Sequence, residues 1–159
     1  MENISDIQII VTEGDYDNNE AYNCVLGYIG QKAYLGGYGF RCIPELSIIE
    51  QFKMSENFSK HSGLRKIWHF IITFQKSWNH TPLLEVAVQS AKLFSSDYQV
   101  LFALDLEGTA PHLHFGVNAF SYHPDTPILS EEIMDCYLKN IQNLLSQQYP
   151  NMTVTLLYK

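Results

Sequence analysis

Long hydrophobic runs, cysteine pairs, a leader pattern and an excess of positive charge are all missing from this chain. No apolar stretch approaches the roughly 20 residues of a membrane helix, so a membrane span is not expected. The acidic start Met1-Glu2-Asn3 lacks the charged-then-apolar pattern of a secretory signal. Cys24, Cys42 and Cys136 are odd in number, widely scattered and never spaced Cys-x-x-Cys. That argues against both a disulfide framework and a zinc knuckle, and makes a reducing cytoplasm the expected setting. Ten Lys and Arg against 17 Asp and Glu leave a net charge of −7, the opposite of the basic surface a nucleic-acid binder usually presents. The deficit is uneven. Arg41, Lys53, Lys60, Arg65, Lys66 and Lys76 cluster in the middle of the chain, with His61, His69 and His80 nearby. Glu13, Asp15, Asp17, Glu20, Asp125, Glu131, Glu132 and Asp135 lie outside that cluster, so the basic segment is the expected binding side.

What is present fits a globular chain. Hydrophobic residues make up 46% and aromatics 13%, too much apolar surface for disorder, and 159 residues can bury a core as one domain, 1–159. No internal repeat or linker divides it. Residues 4–12 read as a short β-branched strand, and the Asp15–Asn19 cluster as a turn in which Asn18 or Asn19 caps a helix. In that helix Ala21, Val25 and Tyr28 share a face, and it should end near Gly30. The aromatic and glycine-rich stretch 34–40 reads as a loop or irregular strand. Pro44 opens a second helix to about Phe58, with Ile48, Ile49 and Phe52 inward.

Residues 66–75 give the clearest strand, with Trp68, Phe70, Ile72 and Phe74 on one face and Ile67, His69, Ile71 and Thr73 on the other. Thr81-Pro82 starts a third helix with a stripe of Leu84, Ala87, Val88, Ala91 and Phe94. A strand over 98–105 and a second over 112–120 form a hairpin. Ser130 leads into a last helix carrying Ile133, Tyr137, Ile141 and Leu144, and a strand with Met152, Val154, Leu156 and Tyr158 alternating closes the chain. The order β-α-β-α-β-α-β-β-α-β predicts an α+β fold, an antiparallel-rich sheet with helices packed on it.

The chemistry concentrates in that hairpin. Side chains two apart share a strand face, so His112, His114, Gly116 and Asn118 point one way and Leu113, Phe115 and Val117 the other. Two imidazoles so spaced can converge on one divalent ion, and antiparallel pairing brings Asp105 beside His112 as a third ligand, with Glu107 a weaker candidate. The competing reading is a chance His-x-His on an exposed face.

The stretch 66–122 resembles the relaxase, or mobilisation nuclease, family of HUH single-strand DNA endonucleases. The likeness is carried by Trp68-His69-Phe70-Ile71-Ile72-Thr73-Phe74, then a helix, then Tyr98–Asp105, then His112-Leu113-His114-Phe115-Gly116-Val117-Asn118. It extends upstream to the helix containing Val25-Leu26-Gly27-Tyr28-Ile29, which is similar to the segment that bears the family's nucleophilic tyrosine. The resemblance implies an HUH-endonuclease-like sandwich, with Asp105, His112 and His114 around a divalent metal. Asp105 stands where the family usually has a histidine and Glu107 where an acid follows, which favours harder ions such as Mg²⁺ or Mn²⁺.

The implied reaction is attack of Tyr28 on a scissile phosphate, giving a 5′-phosphotyrosine adduct and a free 3′-hydroxyl. A phenol with an ordinary pKa near ~10 needs help for this. Tyr22, Tyr34 and Tyr38 are rival nucleophiles, and Tyr28 also fits the apolar stripe of its helix. His69 is read as a catalytic or ligand-orienting group, or else as a histidine satisfied within its sheet. Arg65, Lys66 and Asn118 are the candidate nucleic-acid contacts, and the aromatics of 34–40 could stack bases. The implied partners are single-stranded DNA at a transfer origin and accessory mobilisation proteins. The alternative is a catalytically degenerate relaxase-like domain that binds nucleic acid or a partner protein without cutting, and Asp105, the acidic balance and the short length favour it.

Overall fold

The computed structural model describes residues 6–75, 80–108 and 110–159. Expectations that fall on Ile4, Ser5, Lys76 and Thr109 lie outside these. The elements follow in the expected order: β1 (Ile7–Val11), α1 (Ala21–Gly30), β2 (Ala33–Tyr38), α2 (Ile48–Phe58), β3 (Ile67–Phe74), α3 (His80–Lys92), β4 (Val100–Asp105), β5 (His112–Asn118), α4 (Glu131–Gln148) and β6 (Val154–Tyr158). The strands form one six-stranded sheet in the order β2-β4-β5-β3-β1-β6. Every pairing is antiparallel except that of β1 with β6. This is an α+β architecture with an open, mostly antiparallel sheet, and the His-x-His strand lies at its interior between β4 and β3.

Helices cover the sheet on both faces. The alternation read in β3 holds: Trp68, Phe70, Ile72 and Phe74 enter a large core with Phe102, Leu113, Phe115 and the inner faces of α3 and α4. The Phe70 and Phe115 rings lie parallel at 4.5 Å between centroids at its centre. Ile67, Leu101 and Ala103 point the other way, into a smaller core closed by Val25, Leu26 and Ile29 of α1 and Phe52 of α2. No helix among the described residues is long and apolar enough to cross a membrane.

Several local expectations are corrected. Helix α2 starts at Ile48, not Pro44, because Ser47 and Glu50 form a reciprocal cap. The Ser47 hydroxyl accepts from the Glu50 N–H and the Glu50 carboxylate accepts from the Ser47 N–H, each at 3.1 Å. In α3 the buried stripe is Leu83, Val86, Ala87 and Ala91, continued by Phe94 in the turn that follows, while Val88 is exposed and Leu84 only half-buried. The α4 stripe is Met134, Leu138, Ile141 and Leu145, with Ile133 and Tyr137 along its border. His80 opens α3 and does not lie in a loop. Of the two readings of 34–40, the irregular strand holds: β2 is an edge strand with a register shift between Ala33 and Leu35, and its Gly36 carries no Cβ because the Phe102 ring stands 2.5 Å from where it would be.

Candidate functional site

Hairpin register builds the floor of the site. Asp105 pairs with His112 across β4 and β5, and His114 lies between Ala103 on one side and Ile71 on the other. His69 pairs with Gly116, and Thr73 with His112. All of these side chains emerge on the α1 side of the sheet, opposite Phe70, Leu113 and Phe115. Gly116 is what lets α1 approach. A Cβ there would meet Ile29 Cδ1 at 3.0 Å and Leu26 Cδ2 and Val25 Cγ1 at 3.3 Å.

That close approach sets Tyr28 over the histidines. The buried face of α1 is Ala21, Tyr22, Val25, Leu26 and Ile29. Tyr28 falls off this stripe and keeps 45% of its surface exposed, which settles against the packing role its spacing allowed. Its ring stands edge-on to His114 at 5.3 Å and to His69 at 6.1 Å between centroids. Tyr22, the nearest rival, is buried and donates its hydroxyl to Glu56 at 2.9 Å.

One turn beyond Tyr28, Lys32 folds back into the same place. Its Nζ lies 3.2 Å from Asp105 Oδ2, 3.8 Å from Glu107 Oε2 and 4.6 Å above the Tyr28 ring centroid. A cation just past a helix C-terminus is also favoured by the helix dipole.

Three buried polar groups form a chain beneath them. His114 Nε2 is 3.3 Å from Asp105 Oδ2, and His114 Nδ1 is 3.3 Å from His69 Nε2. Burial pushes the Asp105 carboxyl up, but the Glu107 backbone N–H at 3.0 Å and the Lys32 ammonium outweigh it and hold the pKa below the usual value. An ionised carboxylate only accepts, so His114 donates from Nε2. Burial keeps His114 neutral, with Asp105 opposing and His112 and Lys32 reinforcing. A neutral His114 then accepts at Nδ1 from His69 Nε2–H. His69 is neutral for the same reason, pushed down to about 4 by burial and by its neighbour His114. Its Nδ1 has no hydrogen-bond partner among the described residues.

This arrangement does not fit a divalent ion as it stands. His114 spends its Nε2 proton on Asp105 and its Nδ1 lone pair on His69, and Asp105 Oδ2 already faces the Lys32 ammonium. Of these ligand candidates, the half-buried His112 alone has no side-chain hydrogen bond or ion pair among the described residues. Accordingly, among the described residues no group of three His, Cys, Asp or Glu side chains is disposed to hold a metal. Thr73 adds an unused polar group on this face, a buried hydroxyl beside His112 with no hydrogen-bond partner among the described residues.

The candidate DNA contacts are otherwise engaged. Asn118 shares the His-x-His face as expected but has no exposed surface. Its amide donates to Phe52 O at 3.0 Å and Gln99 Oε1 at 2.8 Å, and its Oδ1 accepts from the Phe120 N–H at 3.1 Å. Gln99 also accepts from the Ser55 hydroxyl, so the trio ties α2 to β4 and β5 and leaves nothing for a phosphate. Lys66 is held in an ion pair with Glu56. The Arg65 guanidinium lies 3.8 Å from the Trp68 ring centroid and donates to Ile67 O. Burial explains Asn118, because a polar side chain in a core must be paired; Arg65 and Lys66 are only half-buried. Lys32 went unnoticed in the sequence. Its signal is a lysine four residues after the candidate tyrosine, on the same side of the helix end.

Comparison with known proteins gives no match: no family model, curated protein or solved structure matches the chain.

Proposed function

We propose that the chain is a relaxase-like, HUH-type enzyme that nicks single-stranded DNA by tyrosine transesterification, with Tyr28 as nucleophile. One observation carries this reading. Tyr28, singled out by its place in the sequence, stands half-exposed and edge-on to the His-x-His strand and to His69. Beside it, Gln8, Ile10, Ile71 and His112 form a part-exposed strip of sheet along which an extended strand could lie.

In the reaction, Tyr28 Oη bonds to phosphorus and the bond to the 3′-oxygen breaks. The phenolic proton leaves to water and the departing 3′-oxygen takes one up, leaving a 5′-phosphotyrosine and a 3′-hydroxyl, while the His69 ring, edge-on to Tyr28, orients the phenol. The partners on this reading are single-stranded DNA at a transfer origin and accessory mobilisation proteins. A divalent ion, Mg²⁺ or Mn²⁺, enters only if Lys32 leaves Asp105 and His114 gives up its Nε2 proton.

The test is a denaturing gel of the protein incubated with single-stranded oligonucleotides covering candidate origins. A covalent adduct is expected, lost in Tyr28→Phe and reduced in His69→Ala. An adduct that persists in Tyr28→Phe removes Tyr28 as nucleophile. A second reading, a domain that binds a strand or a partner protein without cutting, is favoured by the Lys32–Asp105 pair standing where the metal of the resembled family would sit. It predicts salt-dependent binding and no adduct under any condition.

A further inference from the structure

We propose that the Lys32 ammonium is the resident cation of this site, holding the place beside Asp105 that a divalent ion would take and supplying the positive charge that meets a phosphodiester. The ammonium lies within ion-pair distance of two carboxylates, Asp105 at 3.2 Å and Glu107 at 3.8 Å, and against the Tyr28 ring at 4.6 Å. Those contacts fix it next to the candidate nucleophile, with the Lys32 and Asp105 side chains 14% and 9% exposed. A phosphate within reach of Tyr28 Oη is therefore also within reach of Lys32 Nζ, which carries three donors and no acceptor.

Two cations cannot share the Asp105 carboxylate at this range without strong repulsion in a poorly solvated site. The chain thus chooses between its own cation and a metal, and the Lys32–Asp105 contact at 3.2 Å favours its own. Asp105 fits this role better than the histidine the resemblance expects. A carboxylate pairs with an ammonium, whereas a neutral imidazole next to it could serve a metal. The phosphate part of the inference rests on the transesterase reading, and the competition between Lys32 and a metal does not.

The experiment is Mn²⁺ titration of the full chain by calorimetry and by electron paramagnetic resonance, after chelator treatment. Wild type should show no saturable site at this position up to millimolar Mn²⁺. Lys32→Met and the more polar Lys32→Gln should each gain a site at least about ten-fold tighter, because the competing charge is gone. Lys32→Arg should behave as wild type, and adding Asp105→Ala to Lys32→Met should abolish the gain. Circular dichroism confirms that each variant is folded, and either neutral variant suffices. Saturable Mn²⁺ binding by wild type that is lost in Asp105→Ala overturns the proposal, as does the absence of any gain in the neutral variants. In parallel, the DNA adduct should form equally in EDTA and in Mn²⁺. An adduct that requires Mn²⁺ counts against Lys32 as the resident cation. No adduct in either condition counts against the transesterase reading alone, because the titration still decides the competition.

Discussion

The two faces of strands β3 and β5 come from alternate residues of the same short segments, yet they are built on opposite terms. On one face Phe70, Leu113, Phe115 and Ile72 are wholly buried in one apolar cluster with residues of α3 and α4. On the other, His69, His114 and Asp105 are nearly as buried, but each is held by hydrogen bonds and charge under Tyr28 and Lys32. The first face stabilises by excluding water and filling space. The second keeps polar groups dry at a cost that only paired geometry offsets, and such a site is where perturbed ionisation and function coincide.

Breaking the apolar face should have the largest effect on stability. Phe115→Ala removes a ring stacked on Phe70 and should cost about 3–5 kcal/mol in denaturant unfolding. The binding properties of any molecules that remain folded should be unchanged. A loss below about 1 kcal/mol would mean the core is not centred there.

The polar face should instead fail with acid. His69 titrates near its ordinary 6.5 when unfolded but only at about 4 when folded. Above pH 6.5 neither state binds the proton, so nothing is lost. As pH falls from 6.5 to about 4 the unfolded state gains a proton that the native state refuses, and stability drops by on the order of 3 kcal/mol. Chemical unfolding across this range should show the slope in wild type and a shallower one in His69→Phe. Equal slopes would show that His69 does not ionise differently on folding.

Asn118→Ala should cost about 1–3 kcal/mol, since it leaves the Phe120 N–H without its acceptor and removes the donor to Gln99 Oε1 and Phe52 O. Its effect on DNA binding per folded molecule should be nil, which separates a fold-stitching residue from a phosphate contact. Smallest in stability is Tyr28→Phe, within about 0.5 kcal/mol for a half-exposed ring that keeps its packing. It should nevertheless remove all adduct formation, so the two faces differ not only in the size of the loss but in its kind.

The fold was legible where the pattern is local and repeated. Alternation along residues 67–74 and 112–118 gave both strands and both faces, and the turn residues between them gave the element order. Reading failed where a neighbour decides. The stripe read in and after α3 holds at Ala87, Ala91 and Phe94, but Leu84 and Val88 give way to Leu83 and Val86, because Leu83-Leu84 and Val86-Ala87-Val88 offer two apolar registers and only the sheet beneath chooses between them. Pro44 and Ser47 both signal a helix start, and the reciprocal bonds with Glu50 favour Ser47.

In the site, Asp105 beside His112 followed from hairpin geometry alone. Tyr28 was ambiguous because its spacing from Ala21 and Val25 suits a packed stripe, while the tighter stripe through Val25, Leu26 and Ile29 leaves it outside. Lys66 and Asn118 looked like free polar groups, and their partners Glu56, Phe52 and Gln99 are far away in sequence. Lys32 was invisible for the same reason: its meaning depends on a carboxylate 73 residues later in the chain.

The most direct measurement is mass spectrometry of a proteolytic digest after incubation with a single-stranded oligonucleotide labelled on the 3′ side of the cleavage position, the fragment whose 5′-phosphate the tyrosine retains. A nucleotide phosphodiester on the peptide containing Tyr28, with none on those containing Tyr22, Tyr34 or Tyr38, is the predicted result. A modification on one of those rivals, or none on any tyrosine, would contradict the account.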